Sequence, residues 1–433
     1  MSGEFIGIIG IAILLVLMFV KVRLGTAMIL VGFLGYSYLS GLDTGLLMIG
    51  MEPYVQTAYY PITAIPLFIL MGTVVAVSGI SQDLYDAARK WIGQIRGGLA
   101  IATVGACGLF AAICGDSIAT AVTMGKVAYP EMKRFGYDDR LSSACVIAGG
   151  TIGILIPPSL GFILYGILTE ESVGKLFIAG IIPGILEAVF YFITIYSICR
   201  LNPKLAPPIG ERLNFREKVV GLKVVWPMVV IFLLVIVGIY AGIFTPTEAG
   251  AVGSFGAIIV ALVLGRFGWN ELRKAATETA GSTTMILYVL IGAFVFMRFI
   301  TLTDLPIAIS EFVVGLQVPK LIVILGIVFV YIILGCFLDV LIVIILTVPI
   351  IYPTIVGMGY DPIWWGVIMV RVMEIGMITP PFGINLFVLT KAINLPISTA
   401  YRGVAPFVIS DFFHVALLIA FPQISLFLVN AMK

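Results

Sequence analysis

Apolar segments long enough to cross a bilayer recur along the whole chain, and this feature restricts the possible folds more than any other. They begin with the segment from Phe5 to Val20 and end near Asn430. A helix crosses the bilayer core with roughly 17 to 25 apolar residues. Because lipid offers the backbone no hydrogen-bond partners, only helices and closed barrels span it, and the sequence lacks the short alternating strands of a barrel. We therefore predict an all-α polytopic membrane protein.

The balance of residue types agrees with a membrane solvent. Hydrophobic residues make up 61% of the chain and charged residues only 11%, which is more apolar than a soluble protein of this length allows. The formal net charge of +2 is too small to indicate nucleic-acid binding. The five cysteines lie within or beside apolar segments without zinc-site spacing, so we interpret them as buried hydrophobic residues. The chain is thus predicted to reside in a bacterial inner or an organellar membrane.

The two halves of the chain are related by a repeat at a constant offset of 223 residues. Glycine, proline and aspartate residues match in order at this spacing: Gly136, Tyr137 and Asp138 with Gly359, Tyr360 and Asp361; Pro157 and Pro158 with Pro380 and Pro381; Asp116 with Asp339; Gly153 with Gly376. Ordered matches at one spacing indicate two structural repeats. We place the first in residues 1–199 and the second in residues 224–433, joined by a cytoplasmic linker over residues 200–223.

The second repeat is predicted to be inverted relative to the first. Lysine and arginine favour the cytoplasmic side of short membrane loops. With the N-terminus outside, the basic clusters of both halves fall on the cytoplasmic side, and the first half then makes an odd number of crossings. Inverted repeats of broken helices are typical of secondary transporters, because exchanging the conformations of the halves converts an inward-open state into an outward-open one. A plain duplicated bundle is the alternative.

Each repeat contains an apolar segment that we predict to be a re-entrant helical hairpin. In the first repeat, residues about 98–130 have basic residues at both flanks and a polar interruption at residues 115–117. In the second, residues about 319–354 turn at residues 335–339. Non-helical backbone at membrane depth is tolerated only inside protein or beside a wet cavity. Both hairpin tips are therefore expected in a binding site.

A Pro-Pro pair lies within the crossing that follows each hairpin, in residues about 141–168 and about 361–390. Adjacent prolines remove amide donors and clash with preceding carbonyls, so each helix should break there. Freed carbonyls and hydroxyls suit a dehydrated sodium ion, and the positive N-termini of the resumed half-helices attract a carboxylate. A structural kink is the alternative for either break. The predicted substrate neighbourhood consists of Asp116, Pro158, Ser159, Pro381, Gly383 and Asn385.

Ionisable residues at membrane depth need a partner, an ion or water. Asp116 and Asp339 occupy matched positions at the hairpin tips, where each could bind a cation or cap the returning helix. Arg371 lies in an apolar span and either pairs with another residue or helps to hold an anion. We interpret His414, in the last span, as a packing residue or a helix contact rather than a proton relay.

Two charged segments alternate apolar and polar residues at helical spacing, which is typical of helices lying in the membrane interface. They are Ser81–Gln94 and Trp269–Glu278. We expect both to be interfacial helices, which in a transporter can brace a fixed scaffold.

Six longer motifs together resemble one known family. They are PLFILMG at 66–72, GDSIATAVTMG at 115–125, PEM followed by GY at 130–137, GGTIGILIPPS at 149–159, TPTEAGAVG at 245–253 and TPPFGINLF at 379–387. Over nearly its whole length the chain resembles the large, DctM-like membrane subunit of tripartite ATP-independent periplasmic (TRAP) transporters. The resemblance implies an elevator-type ion transporter fold in the bacterial inner membrane, in which a domain with both hairpins slides against a scaffold.

The resemblance also implies sodium as the coupling ion, with a site between each hairpin tip and the neighbouring broken helix. These neighbourhoods correspond to Gly115, Ser117, Thr151 and Gly153 in the first repeat and to Gly335, Asp339, Gly376 and Thr379 in the second. Two protein partners are implied, a small four-helix membrane subunit and a periplasmic substrate-binding protein. The implied substrate is a small organic anion such as a C4-dicarboxylate, a 2-oxo acid or a sialic acid, selected largely by the binding protein.

Alternative functions can be judged by the features that each of them requires in the sequence. A stand-alone ion-coupled anion carrier of the same architecture is the main alternative, since it would need neither partner. An intramembrane enzyme is disfavoured because the sequence has no Gly-x-Ser-x-Gly or His-Glu-x-x-His motif. No Walker phosphate loop occurs either, so ATP is not expected to drive transport.

Overall fold

The computed structural model of the protein describes residues 2–207, 215–315 and 318–432, and all regular elements among them are helical. The helices of the first half are α1 (Gly3–Phe19), α2 (Leu24–Ser40), α3 (Leu42–Thr57), α4 (Ala64–Val77), α5 (Ile80–Ile92), α6 (Gly98–Cys114), α7 (Ser117–Arg134), α8 (Asp139–Leu155), α9 (Leu160–Thr169) and α10 (Val173–Leu201). Part of the predicted linker, residues 208–214, lies outside the described residues.

The second half also contains ten α-helices among the described residues. They are α11 (Phe215–Tyr240), α12 (Pro246–Val263), α13 (Trp269–Leu302), α14 (Leu305–Gly315), α15 (Lys320–Phe337), α16 (Val340–Gly357), α17 (Pro362–Ile378), α18 (Ile384–Ala392), α19 (Ile397–Ala420) and α20 (Gln423–Ala431). Among the described residues, eight helical stretches are long and apolar enough to cross a membrane. The prediction of an all-α polytopic protein is confirmed.

The repeat in the sequence is also present in the helix boundaries. Helix α7 begins at Ser117 and ends at Arg134, and adding 223 gives the bounds of α16, Val340 and Gly357. Helices α8 and α17 are related by the same offset at both ends. Two helices that start and stop at matched positions must share their local folding signals. The returning arm of the hairpin and the helix after it therefore have the same boundaries in both halves.

Helices α6 and α7 form the first hairpin, and its turn is built by two residues. Gly115 ends α6 with a φ of +66°, a conformation that favours glycine. Asp116 then caps α7, because its Oδ1 accepts from the backbone N of Ile118 at 2.7 Å and of Ala119 at 3.2 Å. In the second hairpin, formed by α15 and α16, Asp339 caps α16, because its Oδ1 accepts from the backbone N of Leu341 at 2.9 Å. Capping by both aspartates is thus confirmed.

Both Pro-Pro segments interrupt a helix, as their chemistry requires. Helix α8 ends at Leu155, and α9 begins at Leu160 after four non-helical residues that contain Pro157 and Pro158. Helix α17 ends at Ile378, and α18 begins at Ile384. Both Pro-Pro peptide bonds are cis. The first break (residues 156–159) and the second break (residues 379–383) lie at matched positions of the two repeats.

Burial differs between the two repeats. In the first, α6 packs against α4, α5, α8 and α10, whereas in the second α15 packs mainly against α17. Pro157, Pro158 and Ser159 of the first break are buried. At the second break both prolines are exposed, and Phe382 has 51% of its surface exposed. The helix break is therefore enclosed by protein in the first repeat and exposed in the second.

Of the two segments that we expected to be interfacial helices, one is a separate helix and the other is not. Helix α5 is a separate amphipathic helix, and its Asp83 forms an ion pair with Arg266. The segment from Trp269 to Glu278 is instead the beginning of α13, which continues for 34 residues. No proline interrupts that stretch, so the backbone hydrogen bonds of the charged segment run on into the apolar span.

Candidate functional site

The tip of the first hairpin rests directly on the first break. A Cβ atom at Gly115 would lie 2.9 Å from the carbonyl oxygen of Pro158 and 3.4 Å from the backbone N of Leu160. Only glycine lets the two backbones approach so closely. Behind the tip, Gly153 of α8 is pressed against Ala111 of α6. The hairpin and its break thus form one packed unit.

The second hairpin contacts the second break in the same way. The backbone N of Gly383 donates to the carbonyl oxygen of Cys336 at 3.2 Å. A Cβ atom at Gly376 would lie 2.6 Å from the carbonyl oxygen of Ile332 and 2.7 Å from Gly335, so α15 and α17 touch backbone to backbone. Each hairpin therefore lies beside the break of its own repeat.

The two tips meet at one cavity of about 260 Å³. Both aspartates of the tips line it, together with Gly115 and Ser117. Leu160, the first residue of α9, also lines it, so the amino end of that half-helix lies beside the cavity. The opposite wall is formed by α13, through Ser282, Met285, Ile286 and Val289. Elements that are far apart in sequence thus form one small-molecule-sized space.

Four of the predicted site residues line this cavity, namely Gly115, Asp116, Ser117 and Asp339. The predicted residues Gly153, Gly335, Gly376 and Pro158 lie behind it, in the contacts between hairpins and breaks. The predicted residues Ser159 and Gly383 start the resumed half-helices, where the Ser159 Oγ accepts from the backbone N of Phe162 at 3.3 Å. These residues shape the site from behind.

The remaining four predicted residues are not among those that line this cavity. The Thr151 hydroxyl bonds to Glu187 at 3.0 Å, and the Thr379 hydroxyl donates to the carbonyl oxygen of Ile375 in its own helix. The Pro381 carbonyl oxygen accepts from the hydroxyl of Tyr401 at 2.7 Å. Asn385 is fully buried, and neither atom of its amide has a hydrogen-bond partner among the described residues. Their assignment to ion or substrate binding stays a prediction.

A buried ion-pair network lies beside the first break, and the sequence analysis did not assemble it. Arg371 of α17 is completely buried and pairs with Glu187 of α10, at 3.1 Å, and with Asp411 of α19. Its Nε donates to Nδ1 of His414 at 3.1 Å, and Nη2 lies 3.4 Å from the hydroxyl of Tyr191. Arg371 therefore pairs structurally and joins both repeats, and His414 is a helix contact.

A third buried carboxylate, outside this network, lies one helical turn beyond Arg371. Glu374 is fully buried, and its Oε1 accepts from the Ser117 hydroxyl at 2.9 Å. Its Oε2 has no hydrogen-bond partner among the described residues. Glu187, Glu374 and Asp411 were missed by motif reasoning, although each is an acidic residue inside an apolar span. That signal marks functional or paired residues and would have found them.

Comparison with known proteins identifies what this arrangement belongs to. The family described as the tripartite ATP-independent periplasmic transporter, DctM component, matches residues 11–424. The chain belongs to this DctM family. The C4-dicarboxylate TRAP transporter large permease protein DctM of Pseudomonas aeruginosa is 36% identical over 384 residues, covering 88% of this chain and 89% of the relative. The ectoine TRAP transporter large permease protein TeaC of Halomonas elongata is 33% identical, covering 94% of both chains.

The fold of this DctM-family chain is also similar to a solved structure of low sequence identity. The crystal structure of the Alcanivorax borkumensis YdaH transporter, described as having an unusual topology, matches with a TM-score of 0.63. Identity is 15%, and the match covers 88% of this chain and 89% of the other. Family membership makes the chain a permease component rather than an enzyme. It is a multi-pass protein of the bacterial inner membrane that takes part in substrate import.

The cavity of this DctM-family chain has suitable donors for the coupling ion that the resemblance implies. Sodium is a hard cation that prefers oxygen ligands, as calcium and magnesium do. The carboxylates of Asp116 and Asp339 and the hydroxyl of Ser117 lie at the cavity wall or just behind it. No lysine, arginine or histidine is found among the described residues that line this cavity. The residues present therefore fit a monovalent cation.

Proposed function

We propose that the chain is the sodium-coupled permease subunit through which a small organic carboxylate, delivered by a periplasmic binding protein, enters the cell. The observation that carries this proposal is the meeting of both hairpin tips, with their two breaks behind them, at one cavity. A site shared by two related halves can open to either side when the halves exchange conformations. The name of the Pseudomonas aeruginosa relative supports a dicarboxylate as substrate.

The residues of the cavity have distinct roles in this proposal. Asp116 and Asp339 attract cations to the tips, and bound sodium would supply the positive charge that lets a carboxylate enter beside them. The amino end of α9, at Leu160, presents its positive dipole end to the same space. Uptake of the anion then depends on the ion, because without it the two aspartates repel the substrate.

An elevator mechanism is supported by how α13 is held. Its polar side chains bond to helices of the first half: Tyr288 to Thr26 of α2, Thr279 to Thr73 of α4, and Arg298 to Glu52 of α3. Toward the cavity, α13 presents mainly the apolar side chains of Met285, Ile286 and Val289. An apolar surface that is not directionally bonded permits sliding. We assign α2, α3, α4 and α13 to the scaffold and the hairpins with their breaks to the moving part.

Two partners complete the proposed transporter, a small four-helix membrane subunit and a periplasmic substrate-binding protein. The family name describes a tripartite system, which supports a large component that works with partners. We expect the binding protein to choose the substrate and the small subunit to enlarge the scaffold. A stand-alone carrier would instead transport at full rate without either.

Reconstitution tests the proposal. Proteoliposomes that hold the chain and the small membrane subunit of the same organism should take up labelled malate, succinate or sialic acid only when the binding protein and an inward sodium gradient are present. Uptake should be unaffected by ATP, and potassium should not replace sodium. Full-rate uptake by the chain alone would establish the stand-alone carrier, and uptake that requires nucleotide would contradict the assignment.

The cavity charge favours a second candidate, import of a zwitterion. Two carboxylates and no basic side chain among its described lining residues suit a substrate that carries a positive group of its own. The ectoine permease of Halomonas elongata, 33% identical, is a relative whose named substrate is of this kind. Adding labelled ectoine to the same proteoliposomes separates the candidates, because uptake of ectoine in preference to malate, succinate and sialic acid would replace the anion by a zwitterion.

A further inference from the structure

We propose that Glu374 is a ligand of a sodium ion at the first hairpin tip, so that the second repeat supplies the charged ligand of an ion site in the first. This inference rests on the proposed sodium coupling and names the residue that carries it. Glu374 lies on α17, upstream of the second break, whereas Ser117 begins the returning arm of the first hairpin. The site therefore bridges the two repeats.

The geometry places an available carboxylate oxygen beside the tip. Glu374 is completely buried and bonds to the Ser117 hydroxyl through Oε1, at 2.9 Å. The other oxygen, Oε2, has no hydrogen-bond partner among the described residues. A buried carboxylate without a donor for one of its oxygens costs several kcal/mol unless the group takes up a proton or a cation lies against it. Ser117, Gly115 and Asp116 line the cavity, so an ion has a short route from there to Glu374.

The buried charges near Glu374 do not balance. The described interior of this region contains the carboxylates of Glu187, Glu374 and Asp411 but only one guanidinium, that of Arg371. Arg371 is already paired with Glu187 and Asp411. His414 contributes no positive charge, because its Nδ1 accepts a hydrogen bond from Arg371. Of these three fully buried carboxylates, Glu374 is thus the one without a basic partner in the described part of the chain, and a proton or a mobile cation must supply the missing charge. We assign that role to the sodium ion.

The packing at Glu374 holds the ligands close together. Gly150 of α8 lies beneath Ser117, and a Cβ atom there would be 3.3 Å from the Ser117 carbonyl oxygen. The first turn of α7 is therefore held against the backbone of α8. Thr120 fixes the same turn, since its hydroxyl donates to the Asp116 carbonyl oxygen at 2.7 Å. Rigid elements on both sides position Ser117 and Glu374 before an ion arrives.

The second repeat has no equivalent of this site. Adding 223 to Ser117 gives Val340, which has no oxygen in its side chain. Subtracting 223 from Glu374 gives Thr151, whose hydroxyl is bonded to Glu187. The matched position therefore cannot bind an ion with the same ligands. We expect one sodium ion to depend on Glu374, and any second ion to depend on other residues.

Sodium-dependent stability of the purified protein tests this inference without a substrate. Thermal unfolding is followed in detergent while sodium chloride replaces choline chloride at constant total salt. The wild-type melting temperature should rise with sodium, because a bound ligand stabilises the folded state. Glu374→Gln, which keeps the shape and the hydrogen bond but removes the charge, should need at least about tenfold more sodium for half of the shift. Ser117→Ala should need about two- to fivefold more sodium.

Two further variants make the result decisive. Glu52→Gln removes another buried carboxylate, which pairs with Arg298 far from the tips, and should lower the melting temperature equally in both salts without changing the half-saturating sodium concentration. Glu374→Asp shortens the ligand but keeps its charge, and serves if the glutamine variant does not fold. It should also weaken the sodium response.

The outcomes separate this inference from the proposed function. If Glu374→Gln responds to the same sodium concentration as the wild type, Glu374 is not a ligand, while sodium coupling stands. If the wild-type protein gains no stability when sodium replaces choline, the proposed sodium coupling fails and the Glu374 site fails with it. A weakened response in the glutamine variant, with Glu52→Gln unchanged, supports the site.

Discussion

The two broken helices share a backbone and differ in their side chains. Helices α8 and α17 have identical lengths, end at matched residues and are followed by a cis Pro-Pro bond. Where the first has Ala148 and Thr151, however, the second has Arg371 and Glu374 at the matched positions. All four residues are buried. The repeat thus conserves the geometry of hairpin and break, whereas charge is concentrated in one copy.

The two breaks also differ in how far they are buried. The first break is enclosed by protein and the second is exposed at its prolines and at Phe382. A shared backbone with different surroundings lets one copy serve as a packed wall while the other remains accessible. The repeat in the chain therefore specifies where the helices break, and the side chains determine the surroundings and the role of each break.

The largest effect is expected when Arg371 is replaced by alanine, which gives the second broken helix the residue that the first has at Ala148. Glu187 and Asp411 would remain buried without a cation, at a cost of about 3 to 5 kcal/mol. We expect little folded protein, measured as the monodisperse fraction in size-exclusion chromatography and as melting temperature. The triple variant Arg371→Ala, Glu187→Gln, Asp411→Asn should recover much of the loss. Wild-type stability in the single variant would show that the network is not needed.

A smaller loss should follow from adding a methyl group where a hairpin touches its broken helix. Gly153→Ala presses on Ala111 and Gly376→Ala on Gly335, and overpacking costs about 1 to 3 kcal/mol. Gly153→Ala should lower the melting temperature more, because α6 packs against several helices, with α4, α5 and α10 among them, whereas α15 packs mainly against α17. Gly281→Ala is the control, since no atom lies within 4 Å of the added methyl group. Equal decreases in melting temperature for the two variants would mean that the two hairpins are equally enclosed.

Chemical accessibility should distinguish the two breaks without changing stability greatly. Ser159→Cys and Phe382→Cys lie 223 residues apart, and each is introduced into a chain without native cysteines. Because Ser159 is fully buried and Phe382 is 51% exposed, a maleimide should modify the cysteine at 382 at least about tenfold faster. Labelling is followed by mass spectrometry in nanodiscs. Similar rates at both positions would mean that the breaks are equally open.

The smallest effects concern the caps at the tips. Asp116→Ala and Asp339→Ala should each cost about 1 kcal/mol, with the larger loss at Asp116, whose Oδ1 accepts two backbone hydrogen bonds. Asn at either position should change stability by less than about 0.5 kcal/mol, because asparagine caps helices as well as aspartate. Melting temperatures in choline chloride measure both. If the asparagine variants were as unstable as the alanine variants, the charge rather than the cap would stabilise the tip.

Much of this architecture could be predicted from the chain because it depends on local backbone chemistry. Pro157 and Pro158 cannot continue a helix, and Gly115 can adopt a turn conformation that other residues disfavour. Short sequence motifs therefore suffice to predict the helix breaks and the hairpin tips. The ion-pair network could not be predicted in the same way. Arg371 and Glu187 are 184 residues apart, and only packing of α10 against α17 brings them together.

The directions of the side chains at the site could not be predicted from the sequence either. Thr151 and Ser117 lie in similar apolar and small-residue surroundings in the chain, yet one hydroxyl faces Glu187 and the other faces Glu374. Side-chain direction follows from helix rotation in the packed bundle, which periodicity does not specify when nearly every face is apolar. Acidic residues within apolar spans are the signal that motif reasoning should have used.

The opposite orientation of the two repeats is the central claim, because a shared cavity that opens to either side depends on it. Lys133→Cys and Val356→Cys test it, because these positions are related by the 223-residue offset. Both side chains are exposed, to 61% and 46%. Each is labelled with a membrane-impermeant maleimide in intact spheroplasts and in inside-out vesicles. The account predicts that the cysteine at 356 reacts in spheroplasts and the cysteine at 133 only in inside-out vesicles. Reaction of both from the same face would contradict the inverted repeat.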